Sequence, residues 1–303
     1  MNRMKRALLC AALLFLAPSC DLSDYSLGTY SLPPWPDAGW QVRTDDAGET
    51  LDAGDAAPAS PDASDAATEP ARLKAVRAEA LVLWLRADVG IELGDDGRIV
   101  NWTDMLTGNV ATAPSAEARP TLVDDPPALS FDGDDELELP PIPALSSFTF
   151  LGVVAAEEQT YCPSILHFSN RDVDESTTDE LEFGRHMGTW YYETEISHVE
   201  APPDAFPVGA AHRLGAVQHE DGLAELFVDG VLVSSGTVPL PPAVERSRNF
   251  VSNSHWERAI DGSCTPFEGR IFELMFFTGA LTEAERLAND AYLEQRWSAA
   301  LAQ

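Results

Sequence analysis

Short apolar runs separated by polar breaks fill most of the chain, and helical spacing appears only at its end. Residues 80–87, "ALVLWLRA", are nearly all apolar, which predicts a buried strand. "GRIVNWTD" (97–104) alternates, with Val100 and Trp102 on one face. In "RPTLVDDPPALSFDGDDELELP" prolines and Asp-Gly mark breaks between three short strands: around Leu122, around 129–131 and around 136–139. "SFTFLGVVAAE" (147–157) is a strong strand and "SILHFSN" (164–170) follows it. "DELEFGRHMGTWYYETEIS" reads as a hairpin turning near 186–188, with Leu181, Phe183, Tyr192, Thr194 and Ile196 on the inner face. "HRLGAVQHEDGLAELFVDGVLVSSG" is a meander broken at 220–222 and at Asp229-Gly230, where the turn calls for positive φ. "RNFVSNSHW" and "GRIFELMFF" complete about a dozen strands with no helix between them. The pattern predicts an all-β, two-sheet sandwich.

The closing segment differs. Thr282 followed by Glu285 forms a capping box, the signature of a helix start. Ala284, Leu287, Ala288 and Ala291 make a narrow apolar stripe, with Leu293 and Trp297 near it. The stripe is expected to pack on the sandwich.

The N-terminal quarter changes the picture of where this domain resides. Arg3, Lys5 and Arg6 precede an apolar run over residues 7–17, so a basic start and a short hydrophobic run read as an export signal over residues 1–19. Cleavage before Cys20 suits both an ordinary signal peptidase and a bacterial lipobox. Residues 20–77 are rich in Asp, Ala, Pro and Ser and poor in large apolar residues, a composition that predicts a disordered linker. Roughly 55 such residues span about 40 Å root-mean-square. Residues 78–303 are then the globular unit. Cys20, Cys162 and Cys264 remain after cleavage, an odd number for an exported protein. Lipid on Cys20 would leave Cys162 and Cys264 as a candidate disulfide; a soluble secreted protein with a stray thiol is the other reading.

The net charge is −31, and no lysine follows Lys74. Phosphates would meet a negative field, which disfavours nucleic acid and bare anionic lipid as partners. The membrane contact expected is the lipid anchor alone.

The ordered set "LVLWLRADVGI", "GRIVNWTDM", "RPTLV", "ALSFDGDDEL", "LAELFVDGVLV" and "GRIFELMFFTGALTEAERLANDAYLEQRW" resembles bacterial laminin-G-like domains of the concanavalin A-like lectin/glucanase superfamily. The resemblance covers most of 80–298 and implies a two-sheet antiparallel jelly roll that ends in a strand and one helix. The family's Asp-Gly-x-Trp-His stretch reads "PVGAAHRLGAV" here, and its Gln-Ser-Gly-Asn reads "DMLTGN".

Glucanases of that superfamily resemble one another in a Glu-x-Asp-x-Glu strand, whose alternation puts two working carboxyls on one face. The nearest segments here are Glu136-Leu-Glu138, Glu180-Leu-Glu182 and Glu193-Thr-Glu195, each expected on the solvated face of a strand. Six histidines are scattered without zinc-motif spacing, and no nucleophile elbow or P-loop is present. Asp132, Asp134 and Asp135 form a carboxylate cluster in a glycine turn, a candidate for calcium; no other cofactor is expected. Trp190, Tyr191 and Trp256 are candidates for stacking on sugar rings. These readings lead to a surface-tethered, non-catalytic domain that binds glycan or protein outside the cell. A glycan-active hydrolase or lyase and a structural envelope lipoprotein are the alternatives.

Overall fold

A computed structural model describes residues 78–157, 163–170, 179–186, 188–194, 197–254 and 266–303. The expected signal and linker, Cys20, Cys162, Cys264 and Trp256 lie outside the described residues.

Two large antiparallel sheets face each other. In one, β16 (Val231–Thr237), β15 (Leu223–Val228), β14 (Ala211–Gln218), β9 (Phe148–Ala156), β19 (Glu268–Thr278), β6 (Pro127–Asp132) and β5 (Thr121–Asp124) follow in that order. β1 (Leu81–Arg86) also pairs with β19, which bonds β6 through its first half and β1 through its second. The other sheet runs β13 (Ser197–Glu200), β12 (Thr189–Thr194), β11 (Leu181–His186), β10 (Ser164–Ser169), β18 (Arg248–Val251), β7 (Leu137–Leu139), β4 (Val110–Thr112), β3 (Ile99–Thr103) and β2 (Ile91–Leu93). β8 (Ile142–Leu145) and β17 (Val244–Arg246) form a separate ribbon. This is the expected jelly-roll sandwich, closed by a C-terminal helix, α1 (Glu283–Arg296), and a one-turn continuation, α2 (Ser298–Leu301).

Aromatic side chains fill the space between the sheets. Phe148 stacks on Phe276 at 5.3 Å and meets the edges of Phe183 at 5.4 Å and Tyr192 at 5.1 Å. Phe150 stacks on Phe183 at 5.0 Å, and Phe168 lies 4.8 Å from Phe276. Pairs of this kind add about 0.5–1.5 kcal/mol each beyond their buried area. They tie β9 and β19 of one sheet to β10, β11 and β12 of the other.

The meander turns where Asp-Gly predicts. Asp229 has φ 52° and Gly230 φ 82°, the positive pair of a type I′ turn. Gly230 is also held by space: a Cβ there would sit 2.6 Å from Asp290 Oδ2 on the helix.

The helix starts as its capping box requires, with Thr282 accepting from the Glu285 N–H and Glu285 accepting from the Thr282 N–H at 2.8 Å. Its packing face is not the expected one. Ala284, Leu287, Ala288 and Ala291 are exposed, while Arg286, Asn289, Leu293 and Trp297 are buried. The seat on the outer face of the eight-stranded sheet is polar as well as apolar, so a small-residue stripe misidentifies it. The Arg286 guanidinium lies 3.8 Å above the Phe227 ring. Arg213 on β14 reaches Glu294 at 2.6 Å and Asp290 at 3.2 Å. Glu273 on β19 is fully buried and accepts the indole N–H groups of Trp84 and Trp297, each at 2.6 Å.

Burial pushes the Glu273 carboxyl up to about 7, against the pull of the two indoles and of Arg86 and Arg296. A carboxyl raised on folding stabilises the fold fully below its unfolded pKa, and that contribution is lost as pH rises through the folded value. Wild-type stability should therefore fall between about pH 4.5 and pH 7, by up to about 3 kcal/mol from this group. Denaturant melts of wild type and Glu273→Gln across that range check it; the substitution should flatten this part of the profile. Gly230→Ala should lower the midpoint of the same melts, because the new Cβ meets Asp290 and strains the turn. A cost above about 1 kcal/mol is expected.

Candidate functional site: the outer face of the nine-stranded sheet

The aromatic core sets this face by alternation. Phe168, Phe183, Trp190 and Tyr192 point inward, so His167, Glu182, Tyr191 and Glu193 point outward. The pairing registers then align outward residues strand by strand. Glu92 faces Asn101, Asn101 faces Thr112, and Thr112 faces Glu138. Glu138 faces Phe250, Phe250 faces His167, and His167 faces Glu182. Glu182 faces Glu193, and Glu193 faces His198. The row crosses all nine strands.

Its two halves differ in exposure. At the β2–β7 end, Glu92, Thr112 and Glu138 are exposed and Asn101 is half-buried. These four residues span about 14 Å at the usual strand spacing. Thr112 Oγ1 donates to Asn101 Oδ1 at 2.9 Å, and Asn101 Nδ2 donates to Glu92 Oε2 at 2.5 Å. Each side chain orients the next, leaving a strip of fixed donors and acceptors.

On β10 and β11 the outward groups are buried. Glu180 is 1% exposed, Glu182 5% and His167 0%. His167 Nδ1 lies 3.8 Å from Glu180 Oε1 and 4.0 Å from Glu182 Oε2. The Tyr191 hydroxyl donates to Glu182 Oε1 at 2.6 Å. Burial pushes the Glu182 carboxyl up to about 7; the Tyr191 hydrogen bond opposes this and the Glu193 charge adds to it. A carboxyl that shares protons near neutrality is what general acid–base chemistry requires.

The expectation that the Glu-x-Glu pairs lie in solvent is thereby corrected. Alternation does place Glu180 and Glu182 on the outer face, but that part of the face is covered. Glu136 is buried too and accepts from the Asn253 amide, while its partner Glu138 is exposed. Glu193 is half-buried, and Glu195 lies outside the described residues.

The aromatic candidates are corrected by the same alternation. Trp190 is fully buried between the sheets, 5.8 Å from Phe150, and its indole donates to the Gly215 carbonyl at 3.3 Å. Tyr191 points outward but is 4% exposed and spends its hydroxyl on Glu182. Neither offers a face for stacking.

Asp132, Asp134 and Asp135 do come together, with ligand oxygens within 4.8 Å of one another. Asp135 is buried, accepts the Asp132 N–H at 3.1 Å, and is pushed up to about 7 by burial with help from Asp132. Arg98 lies 3.4 Å from Asp132 and supplies positive charge at the same turn. On the eight-stranded sheet, a groove of about 700 Å³ runs between β14–β16 and the helix, lined by Phe227, Leu232, Arg286 and Leu287 among others.

No family model and no curated relative matches the sequence. Solved structures do share the fold. A sialidase from Trypanosoma rangeli, in complex with 2,3-difluoro-KDN, matches 73% of this chain with a TM-score of 0.50 and 15% identity; the chain covers 33% of that protein. Domain 4 of AbnA, an extracellular arabinanase from Geobacillus stearothermophilus in complex with arabinotriose, matches 70% of this chain at 15% identity and TM-score 0.47, over 98% of its own length. The binding domain of Paraclostridial Mosquitocidal Protein 1 matches 71% of this chain at 12% identity and TM-score 0.49, over 53% of its own length. The sialidase structures show the fold, a β-sandwich. They also correct the expectation of a non-catalytic domain: sialidases are among the proteins whose structures match, and a missing Glu-x-Asp-x-Glu strand does not exclude glycoside chemistry.

Proposed function

We propose that this domain binds a neutral glycan across the exposed end of its nine-stranded sheet. One observation carries the reading: Glu92, Asn101, Thr112 and Glu138 stand in register on four adjacent strands and point outward, with the first three hydrogen-bonded in sequence. A hydroxyl-rich chain needs such a strip of alternating donors and acceptors, held in place before it arrives. The row carries carboxylates and no lysine or arginine, so a neutral sugar suits it better than a sialylated or uronic one. The sandwich is read as laminin-G-like, and the resemblance implies recognition of a glycan or a protein.

On this reading the domain is exported, tethered through lipid on Cys20 and held away from the envelope by residues 20–77. Cys162 and Cys264 pair in the oxidising space outside the cytoplasm. Calcium at Asp132, Asp134 and Asp135 would neutralise the acidic turn beside β6.

Retention on a panel of insoluble polysaccharides, followed by calorimetry with the best oligosaccharide, tests the binding. Asn101→Ala and Thr112→Val should each weaken it about tenfold, roughly the loss of one or two hydrogen bonds. Retention of a sialylated or uronic polymer in preference to neutral ones would reject the proposal. Intact-mass analysis of the membrane fraction tests the anchor: a diacylglyceryl mass on a chain beginning at Cys20 is expected, and an unmodified soluble chain would refute it.

A further inference from the structure

We propose that His167, Glu180 and Glu182 form a binding site for one divalent transition-metal ion, with zinc as the fitting probe. The site is separate from the sugar-binding strip and does not depend on that reading. It stands on three features: the donor set, its convergence and the way its surroundings fix it.

The donors are one imidazole nitrogen and two carboxylates, on neighbouring strands. His167 on β10 and Glu182 on β11 are a directly opposed pair, and Glu180 precedes Glu182 by two residues on the same face. One ligand atom from each lies within 4.8 Å of the others. Tetrahedral coordination at about 2.1 Å sets ligand atoms about 3.4 Å apart. The observed 3.8 and 4.0 Å separations therefore need a contraction of roughly half an ångström, which side-chain rotation supplies. An imidazole ligand selects a first-row transition metal over calcium or magnesium, which prefer all-oxygen sets.

Charge argues the same way. All three side chains are at least nine-tenths buried. Two carboxyls withdrawn from water side by side are costly as carboxylates unless they share a proton or a cation. A divalent ion with a neutral imidazole makes the buried group neutral as a whole. Three protein ligands leave a position for water or another oxygen.

The surroundings orient the donors. Tyr191 donates to Oε1 of Glu182 and so leaves Oε2 turned toward His167. Outer hydrogen bonds of this kind fix metal-ligating carboxylates, and losing one costs about 10–100-fold in affinity. Gly184 makes that contact feasible: a Cβ there would lie 3.0 Å from the Tyr191 hydroxyl and 2.5 Å from the Pro163 carbonyl oxygen. Phe250 flanks the imidazole on its other side, 6.1 Å between centroids.

The test is zinc binding to the purified full chain after chelator stripping and removal of the chelator, read by elemental analysis and calorimetry. One equivalent should bind, with micromolar or tighter affinity. Glu180→Gln should weaken it by at least tenfold, Tyr191→Phe by about tenfold, and Asp135→Asn not at all. Circular dichroism of each variant establishes folding. Should a substitution at this buried cluster fail to fold, cobalt(II) in the wild-type protein decides: nitrogen and oxygen ligands give weak visible bands without thiolate charge transfer. Absence of stoichiometric zinc, affinity unchanged in Glu180→Gln and Tyr191→Phe, or an intense cobalt–thiolate band would each overturn the site.

Discussion

Burial of the aromatic block between the sheets is the constraint on which the rest depends. Phe168, Phe183, Trp190 and Tyr192 have to point inward to meet Phe148, Phe150 and Phe276. Side chains alternate along a strand, so His167, Glu182, Tyr191 and Glu193 have to point out. A one-residue slip of β11 would exchange Phe183 for Glu182 in the core, at the cost of burying a carboxyl among rings. The polar row on the outer face is thus a consequence of the apolar packing on the inner one, and its order across nine strands is fixed by the same registers.

The two outer faces are then used differently. That of the eight-stranded sheet receives the helix through Glu273, Arg213 and Phe227, each committed to a contact with it. Glu273 shows how much such a seat demands, since its buried carboxyl needs two indole donors to hold it. The nine-stranded sheet keeps one end open to solvent, and its polar groups there bond to one another in a strip. The other end is closed over Glu180, Glu182 and His167. Recognition of a sugar belongs with the open end, and capture of an ion with the closed one.

Much of this was legible in the sequence. Asp229-Gly230 marks its turn because positive φ at both positions leaves few alternatives, and Thr282 with Glu285 marks the helix start because the capping box is local chemistry. The fold class follows from the apolar alternation. The short strands β2, β4, β8, β13 and β17 carry little signal in the sequence, being three or four residues long and lacking a clear period. The buried helix face departs from the apolar stripe because apolarity is not the sole mark of burial: Arg286 buries by stacking on Phe227 and Asn289 by bonding to the Glu285 carbonyl. Parity along β11 was readable, so Glu180 and Glu182 share a face as expected. Their burial was not, because it depends on what covers the strand. Nor was their meeting with His167, which requires the register between β10 and β11. Trp190 and Tyr191 looked like a sugar platform because adjacent aromatics are common in one; on a strand they take opposite sides, and here both are buried.

Hydrogen–deuterium exchange of the full chain, with and without saturating oligosaccharide, bears most directly on the claim that the open end of the nine-stranded sheet is the ligand face. The account predicts slowed exchange confined to β2, β3, β4 and β7, with the helix and β14–β16 unchanged. Protection concentrated in β14–β16 and the helix, around the groove at Phe227 and Leu287, would contradict it.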